Sequence, residues 1–420
     1  MQRVRVLFPT AWDRQQLLAR PELWADAFEL VLEAPDDANC RYDFDVLGYI
    51  DAAVRDWRGA QHGVFSSSDY PGVAVAAAIG TALALPASDP VTILRAGHKG
   101  LARAVQRAQL PAETPSFQVI DPDRLDDLEL TVPLPCFVKP AKGSFSVLAR
   151  RVASEAQLHG FLRDPFVAEY RRDYLRIYSK LVARYLGPDV DGTVFVAEEQ
   201  LRGQLVTVEG YATDREVHAI GVVDSVCDQR TGSFTGFVYP SVLPASVCRR
   251  LEDAACRVAR AFELRWTMFN CEFFWDPATD RIGLVEINPR LCGQFADLYE
   301  KVDGCNAYRI ALDLACGRAP NLRCGAGLFA NAASYPMRVF EPVRVARAPD
   351  AFDIAAARQR SPQARVWNEV RTGEVLSDFA TSEDGQSYRY AVINVGAAGV
   401  GDLVVQRDAV LERLGYRFAR

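Results

Sequence analysis

Lysine is the least frequent charged residue in this chain. Only five of the 48 basic residues in the 420-residue sequence are lysine, and the other 43 are arginine. The codon bias of a GC-rich genome explains the overall skew, but it does not choose the positions of the five. Lys99, Lys139 and Lys142 fall within 44 residues of one another, in segments that do not resemble solvated helix faces. Lys180 and Lys301 have no such context, and we expect both at the surface.

A surplus of basic charge is also absent. The 54 acidic residues outnumber the 48 basic ones, and the formal net charge is −6. Because a nucleic-acid binder needs a cationic surface to neutralise phosphates, this balance argues against a nucleic-acid partner. The hydrophobic content of 49% is ordinary for a globular protein and predicts a sizeable core.

Long apolar runs are missing too. The longest, Val73–Ala87, is too short to span a membrane and is interrupted by Gly80 and Thr81. The apolar run near the N-terminus ends at Pro9, which is too short for a signal peptide. The ten cysteines form no CxxC pair, which favours buried free thiols in a reducing compartment. We therefore expect a cytoplasmic protein with no membrane partner.

The arrangement of the remaining sequence predicts a protein of mixed α/β and α+β class. The first hundred or so residues alternate strand-like and helix-like segments, as βα units do. From about Phe117 the chain turns to short strands punctuated by Gly and Pro, and from about residue 325 it is strand-rich without evident chemistry. We predict domains at 1–115, 116–324 and 325–420, with the middle one divided into about 116–197 and 198–324.

Four polar residues in two apolar strands carry the strongest chemical signal. Residues two apart on a strand share a face, so Asn270 and Glu272 point the same way, as do Glu286 and Asn288. If paired positions sum to about 558, Glu272 lies opposite Glu286 and Asn270 lies opposite Asn288. The connecting turn is Asp276–Asp280, which is rich in turn-forming residues.

Facing carboxylates repel each other, so this hairpin needs a cation to offset them. Hard oxygen ligands on an open site suit Mg²⁺, which keeps waters and accepts phosphate oxygens as further ligands. The alternative is an exposed polar sheet face on which the glutamates pair with arginines, but the flanking runs are too apolar for a fully solvated sheet.

A metal held by carboxylates suggests a polyphosphate ligand, which also needs cations and backbone donors. Lys139 lies on an apolar strand, where a charge is costly to bury without an anion. Lys142-Gly143-Ser144 follows it and offers a glycine for close approach and a hydroxyl donor, although no Walker-type GxxxxGK[ST] motif is present. Arg290, just after the second metal strand, has a planar fork suited to a phosphoryl oxygen or a carboxylate.

These features, in this order, resemble the ATP-grasp superfamily over roughly residues 95 to 320. The matching features are a helix-opening lysine, a strand-Lys-Pro-x-x-Gly loop, a hinge strand ending in Glu-Glu-Gln-Leu and two paired metal strands. They lie at Lys99, Lys139–Ser144, Glu198–Leu201, Asn270–Glu272 and Glu286–Arg290. The resemblance implies a Rossmann-like pre-ATP-grasp lobe, then a two-subdomain ATP-grasp fold and a strand-rich C-terminal region.

The resemblance also implies a role for each matching residue. Arg290 and Lys139 would be catalytic, with Arg290 steadying the transferred phosphoryl group or the substrate. Glu272, Glu286 and Asn288 would hold Mg²⁺, two ions in all, with Mn²⁺ as a substitute. The residues expected to bind ATP are Lys99, Lys139, Lys142, Gly143, Ser144, Glu198, Gln200 and Leu201. The sequence departs from the family at Leu205, which stands where many members place a ribose-binding glutamate.

The activity that the resemblance implies is ATP-dependent ligation of a small-molecule carboxylate to an amine through an acyl phosphate. An amino-acid ligase is favoured by Thr207–Gly210 and by the overall length. Two alternatives stay open: a carboxylase of the biotin- or purine-pathway kind, and a non-catalytic ATP-binding regulatory protein. The identities of the carboxylate and amine, the role of residues 325–420 and the formation of a homodimer also stay open.

Overall fold

The computed structural model describes residues 1–34, 43–143, 147–379 and 385–419. An N-terminal lobe holds three parallel strands in the order β2-β1-β3, with helices around them. The strands are β1 (Gln2–Leu7), β2 (Phe28–Glu33) and β3 (Gly63–Phe65). The helices are α1 (Ala11–Ala19), α2 (Val46–Asp56), α3 (Gly72–Ala82), α4 (Pro90–Gly97) and α5 (Lys99–Gln109).

Local sequence explains where these helices begin. Thr10 caps α1 in a capping box with Asp13, and Asp89 caps α4 just before a proline in its first turn. His98 caps α5 by accepting a hydrogen bond from the Leu101 N–H at 3.2 Å, so this histidine has a structural role. Helix α3 is apolar on almost all sides and is buried, as the small-residue run predicts.

A four-stranded antiparallel sheet follows the N-terminal lobe, in the order β4-β7-β5-β6. Its strands are β4 (Phe117–Ile120), β5 (Cys136–Pro140), β6 (Arg150–Val152) and β7 (Phe195–Glu199). The helices between its third and fourth strands along the chain are α6 (Glu155–Leu162), α7 (Pro165–Glu169) and α8 (Arg176–Tyr185). Strand β5 carries Lys139 on a short apolar run that ends at Pro140.

The remaining elements are mainly strands. The next group comprises β8 (Gln204–Ala212), β9 (Val217–Cys227), β10 (Phe234–Tyr239), α9 (Ala245–Ala261), β11 (Thr267–Asp276), β12 (Arg281–Asn288), α10 (Ala296–Asp303) and α11 (Ala307–Ala315). The last group comprises β13 (Asn331–Val339), β14 (Val343–Arg347), α12 (Ala351–Arg360), β15 (Arg365–Asn368), β16 (Val375–Leu376), β17 (Tyr388–Ala397), α13 (Val400–Leu414) and β18 (Arg417–Ala419). Shorter helical turns lie at Pro21–Leu23, Pro122–Asp127, Tyr170–Tyr174 and Gly293–Phe295.

Eight of these strands form one sheet, in the order β12-β11-β8-β9-β10-β13-β17-β15. Residues 325–420 therefore supply three strands to the sheet that carries the predicted metal strands. The other three C-terminal strands form a small sheet in the order β16-β14-β18. A hydrophobic core runs from α3 through β5 and β7 to α9 and β11, and so joins the N-terminal lobe to both larger sheets.

Among the helices of the described ranges, none is both long enough and apolar enough to cross a membrane. One expectation about the surface is wrong. Lys301 is only 7% exposed, because its ammonium group lies against the buried carboxylate of Asp297, one helical turn earlier on α10.

Candidate functional site

The predicted metal hairpin is formed by β11 and β12. Asn270 pairs with Asn288 and Glu272 pairs with Glu286, which is the predicted register. A bulge follows Glu272 and shifts the rest of the hairpin by one residue. The Asn288 amide donates to Asn270 Oδ1 and to Glu286 Oε1, both at 3.1 Å. The side chains of Asn270, Glu286 and Asn288 are therefore drawn together at one end of the hairpin.

The two glutamates have opposite pKa shifts. Burial and the neighbouring Glu286 charge raise the pKa of Glu272 to about 7. Burial would also raise the pKa of Glu286, but Lys99, Lys139 and the hydrogen bond from Asn288 outweigh it and lower that pKa to about 2. Two partly buried carboxylates side by side carry a repulsion that a cation between them would remove.

The donor set of this hairpin fits a magnesium ion. Within the described ranges no group of three or more His, Cys, Asp or Glu side chains is arranged to hold a metal. The hairpin instead offers two carboxylates and an amide oxygen, which would leave coordination positions for water and phosphate oxygens. That is the ligand pattern by which Mg²⁺ is held together with a nucleotide.

Lys139 is buried beside the hairpin on β5. Its ammonium group lies 2.8 Å from Glu198 Oε2 and donates to the Val285 carbonyl at 3.2 Å. Burial lowers the pKa of Lys139, which Glu198 offsets only in part. Arg103 completes the group, because its Nε donates to Glu198 Oε1 at 2.8 Å and a terminal nitrogen donates to the Val285 carbonyl at 2.7 Å.

Arg103 was not among the predicted site residues. It lies one helical turn after Lys99 on α5, so the helical spacing could have identified it as sharing a face with that lysine. Lys99 itself lies 3.3 Å from Glu286 Oε2 and 3.4 Å from the Gly143 carbonyl. The helix therefore directs one cation towards the metal hairpin and a second towards Glu198.

Asp69 connects two further predicted residues, Lys142 and Arg290. The Lys142 ammonium group donates to Asp69 Oδ2 at 2.9 Å, and Arg290 Nε lies 3.8 Å from Asp69 Oδ1. Asp69 follows β3, and ligand sites of open α/β sheets lie beyond the carboxyl ends of the parallel strands. The position of Asp69 shortly after a parallel strand is therefore the sequence feature that could have identified it as a site residue.

Glu209 is a second acidic residue that sequence reasoning left without a role. It is fully buried on β8, and one carboxylate oxygen accepts the Cys292 backbone N–H at 2.9 Å. Burial raises its pKa to about 8, against smaller opposing effects of that hydrogen bond and of Arg290. The contact fixes the chain two residues beyond Arg290.

The hinge residues lie at the edge of this group. Gln200 Oε1 accepts from Arg151 Nε at 3.1 Å, and the Leu201 side chain packs over Gly283 of β12. Glu199 bridges the two sheets, because its carboxylate accepts hydrogen bonds from Arg281. Ser144, predicted to bind ATP, lies outside the described residues.

A small cleft between α5 and β12 gathers four of the predicted residues together with Arg103. The side chains that line it include Lys99, Arg103, Lys142, Glu286 and Asn288. Cations of α5 and Lys142 thus line the same cleft as Glu286 and Asn288 of the predicted metal hairpin.

Residues 132–297 match the family model described as the ATP-grasp domain. The chain carries an ATP-grasp domain. The matched segment contains every predicted site residue except Lys99. No curated protein matches the sequence.

Solved structures share the ATP-grasp fold over the full chain. An L-amino acid ligase from Bacillus licheniformis is 15% identical with a TM-score of 0.75, and the match covers 100% of this chain and 99% of that one. A carboxyaminoimidazole ribonucleotide synthase from Aspergillus clavatus, complexed with ATP, is 12% identical with a TM-score of 0.68 and 98% coverage of both chains. A biotin carboxylase domain from Hydrogenobacter thermophilus, with MgADP, ADP and bicarbonate, is 13% identical with a TM-score of 0.65, covering 100% of this chain and 91% of that one.

Proposed function

We propose that the protein is an ADP-forming carboxylate–amine ligase that makes an amide or peptide bond through an acyl phosphate, with an amino acid as a substrate. The observation that supports this most is the hairpin of Glu272, Glu286 and Asn288, because the charges of Lys99 and Lys139 act on its Glu286 carboxylate. The fold similarity to an L-amino acid ligase over the whole chain favours the amino-acid branch.

The proposed reaction has two steps. A carboxylate oxygen of the first substrate attacks the γ-phosphorus of ATP, and the bond from that phosphorus to the β–γ bridging oxygen breaks as ADP leaves. The amine nitrogen of the second substrate then attacks the acyl carbon, the bond to the phosphate oxygen breaks, and the nitrogen loses a proton. Because no covalent bond to the protein is needed, its residues act by positioning and by neutralising charge.

The buried cations would serve the polyphosphate. Lys99, Lys139 and Lys142 each contact a carboxylate of the protein, and ATP oxygens would replace or supplement those partners. In the proposed complex Glu272, Glu286 and Asn288 hold Mg²⁺, two ions in all with Mn²⁺ as a substitute. The bound metal ions would neutralise the negative charge of the phosphate oxygens.

The remaining residues would position the adenine and the transferred phosphoryl group of ATP. Arg290 would turn from Asp69 to the transferred phosphoryl group, where its fork can hold two oxygens. We place adenine beside the hinge at Glu198, Gln200 and Leu201, with Gly143 and Ser144 covering the phosphates. Because the Glu198 carboxylate holds Lys139 and Arg103, its contribution would include the alignment of Lys139.

A matrix of amino acids and small carboxylates, scored by ADP release and by mass spectrometry of the products, tests this proposal. We expect ADP only where a carboxylate and an amine are both present, with an amide product of matching mass. ADP release with bicarbonate and no amine would support a carboxylase instead, which the fold similarity to two structures of that chemistry makes the second candidate. Binding of ATP with no productive pair would support a regulatory nucleotide-binding protein.

A further inference from the structure

A stack of three tyrosine rings lies beside the Lys142-Gly143 segment, which is predicted to bind phosphate. Tyr170 and Tyr174 lie on one π-helical turn between α7 and α8, closed by a hydrogen bond of 3.0 Å from the Leu175 N–H to the Tyr170 carbonyl. The rings of Tyr170 and Tyr174 stack with their centroids 4.7 Å apart, and the Tyr174 ring stacks in turn on Tyr70 at 5.0 Å. Single π-turns are rare and occur often at functional sites, so the stack is a candidate for a role in the reaction.

One end of the stack holds the backbone of that segment. The Tyr170 hydroxyl donates to the Lys142 carbonyl at 3.1 Å, and both residues are buried. Burial raises the pKa of Tyr170, so its hydroxyl keeps its proton and stays a donor at neutral pH. A Cβ atom at Gly143 would lie 3.3 Å from the same hydroxyl oxygen, so the tyrosine also limits the space beside the next residue of the segment.

The other end of the stack is continuous with the loop that holds the Lys142 side chain. Tyr70 directly follows Asp69, whose Oδ2 accepts a hydrogen bond from the Lys142 ammonium group at 2.9 Å. The Tyr70 hydroxyl donates to the Tyr174 carbonyl at 2.6 Å and accepts from the Tyr178 N–H at 3.0 Å. The stack therefore connects two contacts of Lys142, one at its backbone and one at its ammonium group.

These two contacts respond differently to a polyphosphate. A phosphate oxygen would compete with Asp69 for the Lys142 ammonium group, because both are anionic acceptors. It would not compete for the hydroxyl hydrogen bond to the Lys142 carbonyl, because that carbonyl is itself an acceptor in a buried contact. The lysine side chain is flexible, whereas its backbone is held, so less conformational entropy is lost when the ammonium group binds an anion.

We propose that Tyr170 is a positioning residue for the γ-phosphate of ATP. Its hydroxyl fixes the Lys142 backbone, so that the ammonium group passes from Asp69 to a phosphate oxygen about a fixed anchor. Lys142 shares Asp69 with Arg290, which is proposed to hold the transferred phosphoryl group, so the γ-phosphate is the group that Lys142 meets. This inference rests on the ATP binding in the proposed function, but not on the ligation of any substrate.

Nucleotide binding tests this role without a substrate pair. Wild type and Tyr170→Phe, as full-length proteins with Mg²⁺, are titrated with ADP and with the β,γ-methylene analogue of ATP. Tyr170→Phe keeps the ring in the stack and removes only the hydroxyl. We expect it to bind the ATP analogue about fivefold more weakly, the effect of one buried hydrogen bond, with the affinity for ADP within twofold of wild type. A general loosening of the fold would weaken both nucleotides alike.

A double variant tests whether Tyr170 acts through Lys142. Lys142→Met removes the ammonium group and should also weaken the ATP analogue selectively. Tyr170→Phe combined with Lys142→Met should bind the analogue as Lys142→Met alone does, because the anchor has no effect once the ammonium group is gone. Tyr178→Phe is the matched control, since it loses a buried hydroxyl that donates to the Leu94 carbonyl at 3.3 Å, and it should bind both nucleotides as wild type does.

The outcomes separate this role from the proposed function. A selective loss of analogue affinity in Tyr170→Phe, without ADP release from any substrate pair, leaves the positioning role standing and overturns the ligase function. Unchanged analogue affinity in Tyr170→Phe, equal losses for the two nucleotides, or additive losses in the double variant overturn the positioning role alone. A wild-type protein that binds neither nucleotide overturns both.

Discussion

Four of the five lysines contact a carboxylate inside the protein or at its half-buried edge. Lys99 lies beside Glu286, Lys139 beside Glu198, Lys142 beside Asp69 and Lys301 beside Asp297. An ammonium group is compact and carries its charge at a point, so it fits between a carboxylate and a phosphate oxygen where a planar guanidinium does not. The few lysines of this chain therefore lie mostly beside buried or partly buried carboxylates.

Lys139→Arg tests that reasoning, because it keeps the charge but enlarges the group. Lys139 is only 5% exposed and is confined by Glu198 and the Val285 carbonyl, so the arginine should displace one of them. We expect the KM for ATP to rise at least tenfold and kcat to fall, measured by steady-state ADP release. Lys180→Arg, at a half-buried lysine outside the cleft, is the control, and equal kinetics for both variants would contradict the assignment.

Glu286→Gln tests the metal hairpin. The substitution keeps the size of the side chain but removes the charge that faces Lys99 and Glu272. We expect amine-dependent ADP release to fall by about 10² to 10³ or more, as for loss of one strong electrostatic contact. The melting temperature and circular dichroism should stay close to those of wild type.

Glu412→Gln, at an exposed glutamate of α13, is the control for that variant. Near-normal turnover of Glu286→Gln would overturn the metal assignment. Loss of the fold in Glu286→Gln would instead show that the carboxylate is needed to compensate the buried lysines.

Glu209 gives the protein a pH dependence of known sign. Its pKa is raised from 4.5 to about 8 by burial, so between these values the folded state holds a proton that the unfolded state has lost. Stability therefore falls as the pH rises through this window, by at most about 1.4 kcal/mol per pH unit. Glu209→Gln does not titrate, and urea unfolding from pH 5 to 8 should show a smaller decline than wild type; parallel curves would contradict the pKa shift.

At the scale of elements, the sequence predicts the chemistry of β11 and β12 better than their full geometry. The alternation of Asn270 with Glu272, and of Glu286 with Asn288, fixes which side chains share a face. The bulge after Glu272 was not predicted, because both strands stay apolar through it and nothing in the pattern marks the extra residue. Contacts made by distant segments, such as Asp69 with Lys142, leave no periodic signal at all.

The contact between β12 and the hinge predicts a specific effect on nucleotide binding. A Cβ atom at Gly283 would lie 2.5 Å from Leu201 Cδ2, so Gly283→Ala must move the Leu201 side chain. If Leu201 borders adenine as proposed, the KM for ATP should rise about three- to tenfold with kcat little changed. Gly160→Ala, where a Cβ atom would meet nothing within 4 Å, is the control, and an ATP KM equal to wild type in Gly283→Ala would place adenine elsewhere.

At the scale of the whole molecule, the eight-stranded sheet joins regions that the sequence separates. The predicted border at residue 325 lies where the pattern loses its chemical motifs, yet β13 pairs with β10 and continues the sheet. Strand-rich composition predicts the strands after residue 325 but neither helices α12 and α13 nor the strand partners, since pairing over a long sequence separation depends on the whole core. The three-domain division stays a prediction about folding units.

Truncation tests whether residues 325–420 are separable. A chain ending at residue 324 would lose the partner of β10 and expose its edge, including the buried Phe237 and Tyr239. We expect this fragment to aggregate or to lack a cooperative thermal transition, measured by gel filtration and circular dichroism. A monodisperse fragment with a transition near that of the full chain would instead establish an independent C-terminal domain.

The contact between Trp12 and Trp367 has an optical consequence. Two of the six tryptophans lie 4.4 Å apart, one on the N-terminal lobe and the other on the C-terminal edge of the large sheet. Indole rings this close couple their electronic transitions, so the pair should give a split near-ultraviolet dichroism band and quenched emission. Any movement of the lobe away from the sheet would separate the rings and restore the emission, so the protein contains its own label-free reporter of opening.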